Sequence, residues 1–208
     1  MELDLERLSP AERYRLLVAT VIPRPIAFVS TQDAAGVTNL APFSYFSVVT
    51  SRPALISVAI GQRAWQGARQ KKDTLQNIEE TCEFVVNAAT VGLLQVVNDS
   101  SADYPPDVSE LEALGLTAVP SLKVRPPRIR ESPVHMECKL HRVVMLGEEP
   151  RVGLVIGEVV HYHADDAVVD SAAGLPDPER LGPLARLGGI QYAGLGELLS
   201  RPRPTTPK

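Results

Sequence analysis

From Val134 to His141 the chain alternates without a break: Val134, Met136, Cys138 and Leu140 are apolar, and His135, Glu137, Lys139 and His141 are polar. A period of two fits an extended strand with two different faces and fits no helix. After a short polar gap, "RVGLVIGEVVHYHAD" (151–165) reads as a second long strand, with Gly157 as a bulge or a point of close approach. Any fold for this chain must accommodate that pair.

Shorter runs add to the β content. "RPIAFVST" (24–31) is β-branched and aromatic, and "QDAAGV" after it is a turn with Gly36 at the permissive position. Residues 38–60 hold two more strand-like runs divided at "TSRP", and "CEFVVNA" (82–88) is another. A helix is predicted over 10–20, from the Ser9/Glu12 capping box and Pro10 at its first position. Others are predicted over 73–81, from Thr90 into "VGLLQVVNDSSADY", and in "DVSELEALGL" with Gly115 as its stop. Residues 165–185 read as loop. Strands outnumber helices and do not interleave with them regularly, so the expected class is mainly β: an antiparallel barrel with peripheral helices. Neither GxGxxG nor GxxxxGK[ST] occurs, which leaves a Rossmann or P-loop fold without support.

The chain has 208 residues, 44% hydrophobic and 22% charged, which suits a single domain with a substantial core. That domain is expected over 1–200, with 201–208, rich in proline, as a disordered tail. A net charge of −4 disfavours nucleic acid as a partner. No apolar run approaches the roughly 20 residues of a membrane span, and the acidic start "MELDLERLSP" has no apolar core of a signal peptide. A cytoplasmic protein is expected. Cys82 and Cys138 are too few for a disulfide scaffold or a cysteine zinc site, and both read as small buried strand residues.

Charge is distributed unevenly. Between Asp33 and Asp73 there is no acid, while Arg52, Arg63, Arg69, Lys71 and Lys72 contribute +5. Lys71 and Lys72 precede a helix whose first turn is already positive. Either the chain tolerates a small penalty, or an anion from outside the chain sits there. The free amides of that helix start, Lys72, the Thr74 hydroxyl and a fork from Arg63 would hold a phosphate, with Asp73 or Thr74 capping the helix. A second candidate is "NLAPFSYFSVVTSRP". Aromatics make up 5% of the chain, yet Phe43, Tyr45 and Phe46 cluster here beside Ser44 and Ser47. Such a mixture serves a flat heteroaromatic ligand, or equally a core strand with polar alternation. His161 and His163 share a strand face ahead of Asp165 and Asp166, but a third metal ligand is not evident, so no metal is expected. No hydrolase arrangement can be read from spacing.

In order, "RPIAFVST", "NLAPFSYFSVVTSRPALISV", "KKDTLQNIEETCEFVVN", "SPVHMECKL", "VVHYHADD" and "ARLGG" resemble the flavin reductase-like, FMN-binding split-barrel family of the flavoredoxin type, over about residues 20–197. The resemblance implies a six-stranded split β-barrel and a homodimer with FMN at or near its interface. It also implies an oxidoreductase that takes electrons from NADH or NADPH and passes them to a small-molecule acceptor. By the same resemblance Asn39, Ser44, Tyr45, Phe46 and Ser47 match the segment along the isoalloxazine and ribityl chain, and Arg63, Lys72, Asp73 and Thr74 the segment around the phosphate. Arg186, Gly188 and Gly189 match a late segment of unassigned role. Cys82 departs from the pattern, where glycine is common.

Overall fold

The computed structural model describes residues 1–203. Helix α1 (Pro10–Thr20) starts at the expected capping box: the Ser9 amide donates to Glu12 Oε2 at 2.8 Å and the Glu12 amide to Ser9 Oγ at 3.3 Å. Strands β1 (Arg24–Pro25) and β2 (Ala27–Gln32) follow, then a turn with Gly36 at φ 94° and β3 (Thr38–Phe43). Next come β4 (Phe46–Ser51), β5 (Ala54–Ile60) and the hairpin of β6 (Gln62–Trp65) and β7 (Ala68–Lys71). Helix α2 (Asp73–Thr81) leads into β8 (Glu83–Ala88), and a helical excursion follows with α3 (Leu94–Asp99) and α4 (Glu110–Ala113). The pair β9 (Ala118–Val119) and β10 (Arg128–Ile129) precedes the two long strands, β11 (Val134–Leu146) and β12 (Val152–Ala164). Short pieces close the chain: β13 (Val169–Asp170), β14 (Leu175–Pro176), α5 (Pro178–Leu181), β15 (Ala185–Arg186) and β16 (Tyr192–Ala193).

The main sheet runs β3-β2-β8-β11-β12-β5-β4, and every pairing in it is antiparallel. Its two edges are β3 and β4, which are neighbours in sequence, separated only by the bend at Ser44 and Tyr45. Three residue steps, from Phe43 to Phe46, reach at most about 11 Å. The edges must therefore lie side by side, and the sheet rolls into a barrel that stays open along that seam. This is the split barrel expected from the sequence. It has seven strands where six were expected, because the run read as one strand after residue 38 bends at Ser44–Tyr45 and changes partner from β2 to β5.

Inside the barrel, Ala27, Val29, Ile56, Val58, Ile60, Phe84, Val86 and Val155 pack with Leu75 and Ile78 of α2. The outer face of β2 and β3 is also covered: Phe28 and Leu40 meet Leu93 and Val97 of the α3 region and Leu111 of α4. Burial on both faces explains the continuous apolar run Ile26–Val29 and the burial of Ser30 and Thr31 after it. Gly157 is the close-approach point anticipated, since a Cβ there would stand 2.3 Å from Phe84 Cζ.

Several expectations need correcting. Cys82 is not buried in a strand: it ends α2 at φ 58° and is exposed, which is the left-handed position where glycine is favoured, whereas Cys138 is fully buried. The helix after Thr90 opens as a 3-10 turn without a Thr90 side-chain cap and stops at Asp99. The helix before Gly115 has only one turn, and 165–185 contains β13, β14 and α5 rather than loop alone. Of the tail expected to be disordered, 201–203 are exposed and irregular, and the rest lies outside the described residues. On the polar face of β11, which the alternation identifies, His135 and Glu137 are buried. The segment between α4 and β11 folds across that face, and Glu137 anchors it, accepting from the Leu122 amide (2.9 Å), the Lys123 amide (2.6 Å) and His163 Nε2 (2.6 Å). Burial opposes the charge on Glu137, but these donors outweigh it and hold its pKa below the ordinary carboxylate range.

Two outcomes follow for stability. Gly157→Ala overpacks against Phe84 and lowers the unfolding free energy by about 1–3 kcal/mol in denaturant titration. Glu137→Gln removes charge-assisted bonds to a buried anchor and costs roughly 2 kcal/mol at neutral pH. Because the native pKa of Glu137 is depressed, its contribution is complete above the ordinary carboxylate range and is lost as pH falls through the native value. The gap between the variant and the parent protein therefore closes on acidification, as read from urea midpoints at successive pH values.

Candidate functional site

The seam opens into a cavity of about 470 Å³, walled by Leu17 of α1 and its C-cap Val21, by Arg24 and its flanking prolines, and by the consecutive residues Ser44 to Ser47. Proline at position 42 has no amide to add to a ladder, and the bend after it takes Ser44 and Tyr45 out of the sheet. The Tyr45 carbonyl still accepts from the Ala59 amide at 2.8 Å, which fixes the bend over β5. Tyr45 is 46% exposed and Ser47 is exposed, so aromatic and hydroxyl groups lie open at the cavity. Arg24 was not singled out from sequence. It is 6% exposed, donating from Nη1 to the Val18 and Val21 carbonyls (2.6 and 2.9 Å), from Nη2 to the Leu187 carbonyl (2.8 Å) and from Nε to Ser44 Oγ (3.4 Å). An arginine at the head of an otherwise apolar strand was the available signal.

A second, polar cavity of about 490 Å³ involves the other end of β3, with Asn39, Arg63, Lys71, Asp73 and Asn77 in its wall. Arg63 holds Asp73 through Nη2–Oδ1 at 3.0 Å and Nη1–Oδ2 at 2.9 Å, donates to the Tyr104 carbonyl at 3.0 Å, and lies over the Trp65 ring at 5.0 Å. Its Nε is buried without a partner. Burial raises the Asp73 pKa, with Arg63 opposing the shift. Behind this pair runs a buried network: Thr74 Oγ1 donates to Asn39 Oδ1 (2.7 Å), and Asn39 Nδ2 donates to Glu110 Oε1 (2.7 Å). Glu110 also accepts from the Leu40 amide (3.0 Å), and burial raises its pKa. Glu110 belongs to the distant excursion, so sequence spacing could not have placed it here.

The helix start differs from the expectation in its detail. Lys72, not Asp73 or Thr74, is the N-cap, and no side chain caps the helix. Asp73 is already helical and committed to Arg63, while the Thr74 hydroxyl turns inward to Asn39. Lys71 pairs with Glu79 at 2.5 Å, and Lys72, half-buried, has no ion-pair partner among the described residues. Arg52 and Arg69 are exposed. Of the residues expected around a planar ring, Ser44, Tyr45, Phe46 and Ser47 line the seam cavity and Asn39 the polar one; of those expected around a phosphate, Arg63 and Asp73 line the polar cavity, and Lys72 and Thr74 line neither.

These groups suit a phosphorylated planar cofactor. The unpartnered Arg63 Nε, the uncapped α2 amides and Lys72 offer donors to an anion, and the seam cavity offers apolar walls with hydroxyls. Histidines 161 and 163 lie next to one another on β12. Their rings stack edge-on at 4.4 Å, His163 is bound to Glu137, and no cluster of three or more potential ligands exists among the described residues. No helix among the described residues is long and apolar enough to cross a membrane.

Comparison with known proteins agrees with this geometry. Nitrilotriacetate monooxygenase component B from Bacillus cereus superposes with a TM-score of 0.90 at 35% identity, over 97% of this chain and 98% of that one. The 2-nitrobenzoate 2-nitroreductase NbaA of Pseudomonas fluorescens gives a TM-score of 0.85 at 29% identity, over 99% and 97% of the two chains. Flavoredoxin of Desulfovibrio vulgaris (Miyazaki F) shares the fold, with a TM-score of 0.75 at 22% identity over 97% of each chain. The sequence profile of the flavin reductase like domain matches residues 19–180, and the chain belongs to that family.

Proposed function

We propose that this protein is an FMN-dependent oxidoreductase that passes reducing equivalents from NADH or NADPH to a small-molecule acceptor. The observation that carries the proposal is the buried, unpartnered Nε of Arg63 beside the uncapped start of α2, a donor arrangement awaiting an anion. Membership of the flavin reductase-like family supports it. Arg63 and Lys72, with the Asp73 and Thr74 amides, would hold the phosphate. Asp73 keeps the Arg63 guanidinium in place, and Asn39 and Thr74 brace the helix start from below. Ser44, Tyr45, Phe46 and Ser47 would line the ring and its ribityl chain. Bound FMN supplies the two-electron redox chemistry between donor and acceptor. The side chains then need only orient the ring, exclude water and admit the substrates, which accounts for the lack of a conspicuous acid–base pair.

The proposal includes a homodimer. Tyr14, Leu17, Val21 and Ile22 of the α1 region and Val48 and Val49 of edge strand β4 are exposed around the seam. A second copy covering them would protect an apolar strand edge and finish the cavity wall. Two free cysteines suit a reducing cytoplasm. Likeness to one component of a monooxygenase favours a second reading, a flavin carrier without steady turnover that serves a partner enzyme.

FMN binding separates both readings from a third, a dimeric split-barrel protein that uses the pocket for another ligand. Lys72→Ala is expected to weaken FMN about 3- to 10-fold and to leave riboflavin, which lacks the phosphate, unchanged, as measured by calorimetry. Equal loss for both ligands would remove the phosphate role. On anaerobic mixing of the FMN complex with NADH or NADPH, rapid bleaching of the flavin absorption is expected for the oxidoreductase. Absence of bleaching with either donor would leave the carrier.

A further inference from the structure

We propose that a third cavity, which shares no residue with the two above, binds a phosphate monoester. Arg128 and Arg130 hold the anion there, and His135 accepts a hydrogen bond from the hydroxyl that the phosphate group retains. The site does not depend on the flavin reading.

The cavity measures about 490 Å³ and lies against the polar face of β11 and the end of β12, with Arg128, Arg130, His135, Tyr162, His163 and Asp165 in its wall. Arg128 and Arg130 belong to one extended segment. Strand β10 pairs with β9, and the Arg130 amide carries that pairing a step further by donating to the Thr117 carbonyl at 3.0 Å. Alternate residues of such a segment share a face, and Ile129 between them goes to the core with no exposure. Neither arginine has an acid within ion-pair distance among the described residues. Arg128 is anchored by its Nε and Nη2, which donate to the Pro120 carbonyl at 3.3 and 2.9 Å, so Nη1 is left to face the cavity contents. Arg130 is exposed.

His135 distinguishes this place from ordinary basic surface. It is 7% exposed, and its Nε2 lies 2.8 Å from the Ile129 carbonyl oxygen. A carbonyl only accepts, so the ring proton sits on Nε2, and in the neutral ring Nδ1 is a lone pair. That Nδ1 is buried without a partner. Burial above all, with Arg128 and His163 beside it, lowers the His135 pKa against the opposing influence of the Ile129 bond and Glu137, which keeps the ring neutral. A buried acceptor without a donor is costly, and a ligand can supply the donor. His163, 6.1 Å away between ring centroids, commits its Nε2 to Glu137 at 2.6 Å, and Asp165 accepts from the Ala167 amide at 2.9 Å.

The wall therefore asks for negative charge and one retained proton on the same group. A phosphate monoester has both, since its second pKa is about 6. Carboxylates and sulfate esters carry charge without that proton. Beyond the anion, Tyr162, Val119 and Pro133 offer apolar surface to the organic body of the ester.

Calorimetry at about pH 6 with the full-length protein provides the test, using phenyl phosphate, phenyl sulfate and inorganic phosphate as probes. Phenyl phosphate is expected to bind at least 10-fold more tightly than phenyl sulfate, which has the same body and no proton to donate, and more tightly than inorganic phosphate. Arg130→Gln, an exposed position, is expected to weaken phenyl phosphate about 10-fold, with a circular dichroism melt establishing that the variant is folded. The nitrogen-15 resonance of His135 Nδ1 is expected to move on adding phenyl phosphate and to stay in place with phenyl sulfate. Equal affinity for the two esters, or unaltered affinity in folded Arg130→Gln, overturns the proposal. Tighter binding of inorganic phosphate than of phenyl phosphate overturns the assignment to a monoester. Loss of phenyl phosphate in Lys72→Ala in place of Arg130→Gln also overturns it, because the anion would then sit at the start of α2.

Discussion

Everything about this molecule depends on the short link between strands at opposite edges of one sheet. Ser44 and Tyr45 connect β3 to β4 across too few residues for the edges to be apart, so seven antiparallel strands must curl until the edges adjoin. The curl encloses a core around Phe84, Val29 and Val58. Its seam is not closed by a ladder, and the residues that span it are bent out of the sheet. A barrel closed by hydrogen bonds would have no such opening. The candidate site is therefore a consequence of how the barrel fails to close.

Buried polar groups then hold the peripheral parts against the barrel. Glu137 gathers the amides of Leu122 and Lys123 and binds His163. Glu110 clasps the Leu40 amide and Asn39. Ser30 Oγ donates to the Pro127 carbonyl at 2.6 Å, and Asn87 Nδ2 bonds the Phe28 carbonyl at 2.9 Å. Each interaction joins segments far apart in sequence, and each leaves a severe penalty if one partner is lost, because the remaining group stays buried without a partner. Arg63 with Asp73 is likewise buried but links residues only ten positions apart, and its Nε remains without a partner.

Much of the framework was legible. The alternation in 133–141, the Ser9/Glu12 capping box and the glycines at 36, 115 and 157 each specify local geometry, and each does so in the structure. Failures arose where a distant segment changed the environment of a local pattern. The alternation identifies His135 and Glu137 as part of a polar face, but not that the segment before β11 buries them. Cys82 looks like a strand residue, but it is the left-handed C-cap of α2 and β8 begins one position later. At the site, the clustering of cations before α2 was visible, but the partition among them was not. Arg63 went inside to Asp73, Lys71 to Glu79, and Lys72 stayed without an ion-pair partner.

By itself the sequence determined the strand-rich class, the principal element starts and the two stretches where chemistry concentrates. These depend on side-chain periodicity, caps and composition within a few residues. Only the tertiary structure decided that β3 and β4 are opposite edges of one sheet, that Glu110 supports Asn39, and that Arg24 faces Arg186. The last two relations join residues about 70 and over 160 positions apart, and the edges β3 and β4 are set by the order of the strands between them in the sheet. No local rule of pattern or propensity reaches so far, because such contacts are chosen by how the whole sheet closes.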